Sequence, residues 1–269
     1  KLILANNPLL ETNYYFFNLQ DERFKDPKVR KAFNYAVDKQ LIGREILRNQ
    51  YYDIGDYGMT PPISKAIKGY DFKSIKKAGY SFDPVKARQL LAEAGYPDGE
   101  GFGSVELRYN INDTHSAVAD EFSKQITKVL NVNVNIDGST FEQLMKDGES
   151  GNGDIFRLGW NADYPDPENF LFLLHGPQRK VGSDGENAAN YDNPEYNVLF
   201  EQMKNMKDSS ERQEIIDQML RILRKDSPWI WGYHPKDYAL YHEWYTNVKP
   251  NKMSHNNLKY HRIDSNMRE

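Results

Sequence analysis

Apolar residues recur at helical spacing in several separate stretches of the chain, and most of these stretches have a recognisable start or end. An aspartate followed by a proline opens two of them, at Asp26-Pro27 and Asp83-Pro84, and Gly95 ends the second. The pattern predicts helices over residues 27–37, 39–47, 85–94, 115–129, 141–147 and 192–226.

Between these helices lie short runs that are rich in aromatic and β-branched residues or that alternate apolar with polar positions. They predict extended structure within residues 2–20 and strands at 105–109, 132–136, 154–160 and 227–233. Residues 51–80 show no clear period and predict a long loop, with a stiff turn at Pro61-Pro62. Strands that alternate with helices predict an α/β layered domain.

Composition narrows the class of protein further. The chain has 269 residues, of which 39% are hydrophobic and 28% charged, with a net charge of −4. These values are typical of a globular protein and argue against a nucleic-acid-binding surface, which needs a basic patch. No cysteine is present, which excludes disulfide scaffolds, zinc ribbons and cysteine nucleophiles. The chain starts at Lys1 without a leader-like segment, so we expect either a removed leader or a piece of a longer protein.

Catalytic signatures are mostly absent from the sequence, which contains no Gly-x-Ser-x-Gly, His-Glu-x-x-His or phosphate-loop motif. Glycine clusters at 99–103 and 148–153 follow a predicted helix and precede a strand, the reverse of the order in a nucleotide-binding loop. They therefore predict turns. The six histidines show no helical i, i+4 pair, so a zinc site would need distant ligands. We predict no catalytic residue, no metal and no cofactor.

The most unusual stretch is residues 154–167, where a predicted strand runs into two prolines. Arg157, Trp160 and Asp163 suit a zwitterionic ligand, because a guanidinium binds a carboxylate, a carboxylate binds an ammonium and an indole forms an apolar wall. An equally open alternative is a capping network in which Asp166 caps a helix from Glu168 and Asp163 braces the turn. A third alternative is a glycosidase-type acid pair formed by Asp163 and Asp166.

Four stretches of the sequence, in the same order, resemble the family 5 extracellular solute-binding proteins, the oligopeptide- and dipeptide-binding group. They are residues 14–18 with 24–38, residues 83–96, residues 109–115, and Gly159-Trp160-x-Ala162-Asp163-Tyr164-Pro165-Asp166-Pro167. The resemblance implies the distal lobe of a two-lobed, type II periplasmic-binding-protein-like fold, with a mixed sheet flanked by helices. It also implies three parts: residues 1–20 as a hinge-crossing strand segment, 21–228 as the ligand-binding lobe, and 229–269 as the second hinge crossing and a segment returning to the first lobe.

The resemblance further implies the roles of individual residues. Asp163 would hold the α-ammonium of a peptide, and Arg157 or His115 would take its terminal carboxylate. Trp160 would line a side-chain pocket, and the backbone of Gly159 and Asn161 would pair with an extended ligand.

The implied function is the substrate-binding component of an ABC transporter that captures short peptides for import. We expect a monomer that works with a membrane ABC permease, binds no nucleic acid and is not an enzyme. It would be periplasmic, or extracellular and membrane-anchored in a Gram-positive organism. Three alternatives remain: a relative that binds a nickel chelate, haem or sugar, a carbohydrate-active enzyme that uses Asp163 and Asp166, and a sensor or chaperone-like module without an importer.

Overall fold

The computed structural model of the chain describes residues 1–54, 79–183, 185–248 and 256–268. Its α-helices are α1 (Pro27–Ala36), α2 (Lys39–Leu41, continued by a π-helical turn over Ile42–Ile46), α3 (Pro84–Glu93), α4 (Asp113–Leu130), α5 (Phe141–Ser150), α6 (Glu168–Leu171), α7 (Pro194–Met203) and α8 (Ser210–Asp226). The predicted helices are therefore confirmed, with 192–226 divided into α7 and α8. None of the helices within these ranges is long and apolar enough to cross a membrane.

The strands are β1 (Leu2–Pro8), β2 (Glu11–Phe17), β3 (Tyr51–Ile54), β4 (Val105–Asn110), β5 (Val134–Ser139), β6 (Ile155–Asn161), β7 (Trp229–His242), β8 (Tyr245–Thr246) and β9 (Arg262–Ile263). In the described part of the chain, seven of them form one sheet in the order β1-β7-β2-β6-β4-β5, with β3 beside β7. The β4–β5 and β4–β6 pairs are parallel and the others in this sheet antiparallel. The predicted mixed sheet flanked by helices is confirmed.

Three predicted segments differ from the structure. Residues 51–54, predicted as loop, form β3, because β7 provides a partner for this short stretch. The predicted turn at Pro61-Pro62 lies outside the described residues. The strand predicted at 132–136 is β5, displaced toward its carboxyl end, and the strand predicted at 227–233 continues to His242 as β7.

Each face of the sheet is covered by helices, which gives the protein two hydrophobic cores. The central strand β2 is buried on both faces, so its aromatic run alternates between the two cores. One core is built mainly from the α6–α8 side and includes Tyr14, Phe16, Phe156, Leu220 and Trp229. The other includes residues of α1, α3 and α4, among them Phe17, Phe33, Leu91, Phe122 and Ile155.

A buried arginine ties α1 to the corner that leads into β7. Arg30, which is 5% exposed, donates from Nε to the carbonyl oxygens of Asp226 (2.9 Å) and Ser227 (3.1 Å). Its Nη1 donates to the carbonyls of Phe24 (2.5 Å) and Lys25 (2.9 Å), and its Nη2 donates to Asp226 again. Burial lowers the pKa of Arg30 to about 10, so the side chain is still charged at neutral pH. The guanidinium thus satisfies carbonyls left without partners at the end of α8.

β1 and the second half of β7 form a two-stranded ribbon that extends from the sheet. Pairing runs from Pro8 opposite Lys236 to Leu2 opposite His242. One side of this ribbon is exposed and carries four large apolar side chains: Leu2, Leu4, Tyr238 and Leu240.

A buried histidine predicts a pH-dependent stability. His175 is 3% exposed and stacks on Phe200, and burial lowers its pKa despite Glu201 at 3.3 Å. As the pH falls, the histidine is therefore protonated at a higher pH in the unfolded chain than in the folded one. The contribution of neutral His175 to the free energy of unfolding is complete above the unfolded pKa of about 6.5 and is lost as the pH falls below it. Urea unfolding at pH 7.5 and 5.0 should show a smaller pH-dependent loss for His175→Phe than for the wild type. His242→Phe, at an exposed position, should keep the wild-type loss, and an equal loss in both variants would contradict the assignment.

Candidate functional site

The candidate site lies at the carboxyl end of β6, where the strand runs into the turn with two prolines. Side chains alternate along β6, so Arg157 and Trp160 point to opposite faces of the sheet. The structure accordingly sorts the predicted residues into two groups: Arg157 with His115 on the α4 side, and Trp160 with Asp163 on the α6 side.

The first group surrounds the guanidinium of Arg157. Its Nη1 donates to Oδ1 of Asn110 at 3.1 Å, and its Nη2 donates to Oδ1 of Asn13. His115 Nδ1 lies 3.0 Å from the main-chain oxygen of Asn110, and burial together with the charge of Arg157 lowers the pKa of this histidine. Both predicted carboxylate-binding residues are thus held by the same residue, the last one of β4.

A narrow cleft lies beside this group. Its walls are mostly aliphatic and aromatic, and include Tyr15, Phe122 and Tyr233. Arg157 and His115 both line this cleft together with Asn13 and Lys39, so these residues place polar groups in a mostly apolar wall.

The second group is organised by a buried asparagine. Asn169, which is 4% exposed, accepts from Trp160 Nε1 at 3.1 Å and from the main-chain N–H of Asp163 at 2.8 Å. Its Nδ2 lies 3.4 Å from the carboxylate of Asp163. Asp163 itself is exposed to solvent. Trp160 also packs edge-on against Phe172, with ring centroids 5.2 Å apart. The indole and the carboxylate are therefore held next to each other.

Replacing Asn169 with alanine should remove the common anchor of Trp160 and Asp163. It leaves a part-buried indole N–H and a main-chain N–H without their acceptor, so the free energy of unfolding should fall by about 2 kcal/mol. Urea denaturation measures this loss. Asn133→Ala, at an exposed position, should change the unfolding free energy by less than about 0.5 kcal/mol. An Asn169 variant as stable as this control would contradict the anchoring role.

Asp166 does not face Asp163 as a second catalytic acid. Its carboxylate accepts from Arg212 Nη2 at 2.6 Å and Nη1 at 3.0 Å, and also from the main-chain N–H of Glu168 at 2.8 Å. Arg212 is 4% exposed, so this ion pair fastens the turn to α8. The capping alternative is correct for Asp166, and the geometry gives no support to a glycosidase pair. Among the described residues, no group of three histidine, aspartate or glutamate side chains is placed to hold a metal ion.

The backbone edge of β6 is open toward its carboxyl end. On one side β2 pairs along the full strand, up to Asn161 opposite Glu11. On the other side β4 pairs only with the first two residues, Ile155 and Phe156, among the residues that the structure describes. Gly159 and Asn161, both predicted to pair with a ligand through their backbone, are exposed on this open part of the strand.

Sequence reasoning missed the three asparagines that organise the two groups: Asn13, Asn110 and Asn169. Asn110 lies within a stretch that carries the family resemblance, but no local pattern indicates that it contacts Arg157, 47 positions away. Asn13 is 3% exposed in the middle of an aromatic strand, and such a buried amide in an apolar run is a signal that a search for unexplained polar positions would find.

A family model described as "bacterial extracellular solute-binding proteins, family 5 Middle" matches residues 2–181. Among curated proteins, the periplasmic oligopeptide-binding protein OppA of Salmonella typhimurium is 29% identical over 86% of this chain and 44% of its own length. Heme-binding protein A of Haemophilus influenzae is 31% identical over 89% of this chain and 42% of its own length.

Solved structures agree with these matches. A periplasmic oligopeptide-binding protein of an oligopeptide ABC transporter from Borrelia burgdorferi superposes with a TM-score of 0.79 at 26% identity, over 97% of this chain and 50% of the other. The chain therefore spans half or less of the length of the relatives that it matches.

Proposed function

The chain belongs to family 5 of the bacterial extracellular solute-binding proteins, and we propose that it captures short peptides as part of the binding component of an ABC importer. Members of this family are non-enzymatic binding components of ABC transporters, which contradicts the carbohydrate-enzyme hypothesis. The observation that carries the proposal is the open edge of β6, which has Arg157 at its start and Asp163 just past its end.

An extended peptide has main-chain N–H and C=O groups that can pair with the unpaired main-chain groups of this edge. Beyond Phe156 the β4 side of the strand has no pairing strand among the described residues, so its N–H and C=O groups can pair with a ligand backbone. Main-chain pairing of this kind does not depend on ligand side chains. It would give broad tolerance of peptide sequence, with Gly159 and Asn161 as the pairing residues.

Opposite charges at the two ends of the edge fit the two termini of a peptide. The exposed Asp163 carboxylate, oriented by Asn169, would bind the α-ammonium. Arg157 or His115 would bind the terminal carboxylate, and Trp160 would form an apolar wall for a side chain. Burying both termini between two lobes costs desolvation energy, which these fixed partners offset.

We also propose a division of the chain into a binding lobe, residues 21–228, and two crossings, residues 1–20 and 229–269. The ribbon of β1 and β7 supports this division, because its exposed apolar side is unusual for the surface of an isolated domain. On this proposal the other lobe of the protein packs against the exposed side of the ribbon.

The partners and location follow from the same proposal. We expect a monomer that delivers its ligand to a membrane ABC permease and binds no nucleic acid. An extracytoplasmic location, periplasmic or membrane-anchored in a Gram-positive organism, is supported by similarity to periplasmic oligopeptide-binding proteins.

Native mass spectrometry of the complete natural protein, purified without denaturation, tests the proposal. A ladder of co-purifying masses that match short peptides is the expected result. A relative at 31% identity is a heme-binding protein, so a single haem mass is the competing outcome. A haem, a metal chelate or a sugar in place of peptides would replace the proposed ligand.

A further inference from the structure

The charge of Arg157 has no acidic partner in the described ranges, which separates it from several other buried or part-buried arginines but not from Arg30, whose acceptors are main-chain carbonyls. Three of those arginines are each paired with at least two carboxylates: Arg23 with Asp21 and Asp154, Arg108 with Glu106, Asp137 and Asp147, and Arg212 with Asp166 and Asp208. In the described ranges no carboxylate forms an ion pair with Arg157, whose hydrogen-bond acceptors are the amide oxygens of Asn110 and Asn13. Neutral acceptors orient a guanidinium without cancelling its charge.

Asn110 contacts both candidate carboxylate-binding side chains of the site at once. Its side-chain oxygen accepts from Arg157 at 3.1 Å, while its main-chain oxygen lies 3.0 Å from His115 Nδ1. The residue is fixed in the sheet, because it is the last residue of β4 and pairs with Ser139 of β5. The main-chain N–H of His115 in turn donates to Asn112 at 2.7 Å. The amide of Asn110 is therefore a rigid support.

Asn13 supports the guanidinium from the other side. It is 3% exposed, lies opposite Gly159 in the β2–β6 pair, and donates from Nδ2 to Glu11 Oε1 at 2.9 Å. Its amide thus stands between the carboxylate of Glu11 and Arg157. A Cβ added at Gly159 would lie 3.2 Å from Asn13 Oδ1, so the glycine leaves room for this contact.

We infer that Asn110 and Asn13 are positioning residues that determine charge specificity, because they hold Arg157 in place with neutral oxygens and reserve its charge for an anionic group of the ligand. The inference rests on the proposed function only in identifying this group as the terminal carboxylate of a peptide. An aspartate at either position would have the same shape but would neutralise the guanidinium and repel a carboxylate ligand.

The test compares Asn110→Asp with the wild type in the complete natural protein. The probes are trialanine and trialanine amide, which differ only in the terminal carboxylate, and affinity is measured by isothermal titration calorimetry. We expect the wild type to prefer the free acid, and Asn110→Asp to bind it at least tenfold more weakly with little change for the amide. A structural role alone would weaken both probes equally. Asn133→Asp, at an exposed position, adds the same charge elsewhere and should leave both affinities unchanged.

Acetate provides a probe that does not depend on peptide binding. Titration with sodium acetate, followed by NMR of the His115 ring, should give saturable shifts in the wild type that Asn110→Asp loses. If neither trialanine probe binds, the peptide proposal fails, while a lost acetate response in the variant still supports the inference. The inference is overturned by an unchanged preference for free acid over amide in Asn110→Asp, or by acetate responses that are absent or equal in both proteins.

Discussion

Replacing Asp163 with alanine in the complete natural protein is expected to weaken the binding of short peptides with a free amino terminus about 100-fold. Closure of two lobes around the ligand removes water from its ammonium group. Losing the partner of such a buried charge costs roughly 2–5 kcal/mol of binding free energy. A tenfold change in affinity corresponds to about 1.4 kcal/mol, so 100-fold lies near the lower end of that range. Isothermal titration calorimetry with trialanine measures the effect.

Asp163→Asn separates the charge from the local structure. Asparagine can keep the contact with Asn169, so the turn should remain intact while the charge disappears. We expect most of the loss seen with alanine to persist in this variant. N-acetylated trialanine, which lacks the ammonium, should bind wild type and variants with similar affinity.

Asp120→Ala is the matched control for this experiment. Asp120 is an exposed aspartate on α4 that pairs with Lys124, so its removal should leave peptide affinity at the wild-type value. A dissociation constant unaltered by Asp163→Ala would show that the ammonium assignment is wrong.

The second large effect concerns folding. Arg30→Met should lower the free energy of unfolding by about 3 kcal/mol, because four carbonyl groups at the α1–α8 corner lose a charged donor. For a chain of this size, each kcal/mol shifts the melting temperature by roughly 2–4 °C. Differential scanning calorimetry should therefore show a decrease of about 6–12 °C.

Arg30→Lys refines this result. Lysine keeps the charge but lacks the planar fork that reaches several carbonyls at once, so it should recover only part of the stability. Arg221→Met, at an exposed position on the same helix that Arg30 caps, should change the melting temperature little. If Arg30→Met melted together with the Arg221 variant, the corner would not depend on the guanidinium.

Local signals in the sequence predicted most of the secondary structure. The capping aspartates at 26 and 83 and the helical spacing that follows them place α1 and α3 correctly, because a helix is formed by contacts within a few residues. β3 and the second half of β7 were missed or shortened. Neither has a strong pattern of its own, and each is a strand because a distant segment pairs with it.

The candidate site was likewise predicted only in part from the sequence. Its charged residues could be identified from residues 154–167 and from the family resemblance. Their arrangement could not, because Arg157 depends on Asn13 and Asn110, which lie 144 and 47 positions away. Asp166 shows the difference most clearly: its sequence context allowed a cap or a catalytic acid, and Arg212 decided in favour of a structural role.

By itself, the sequence determined the class of protein, the order of helices and strands, and which side chains could bind a zwitterion, since these depend on composition and short-range spacing. Only the tertiary structure decided which face of β6 each side chain occupies, which edge of the strand is open, and that Arg157 has no acidic partner among the described residues. These properties arise from pairing between segments far apart in the chain, and short-range sequence patterns do not predict that pairing.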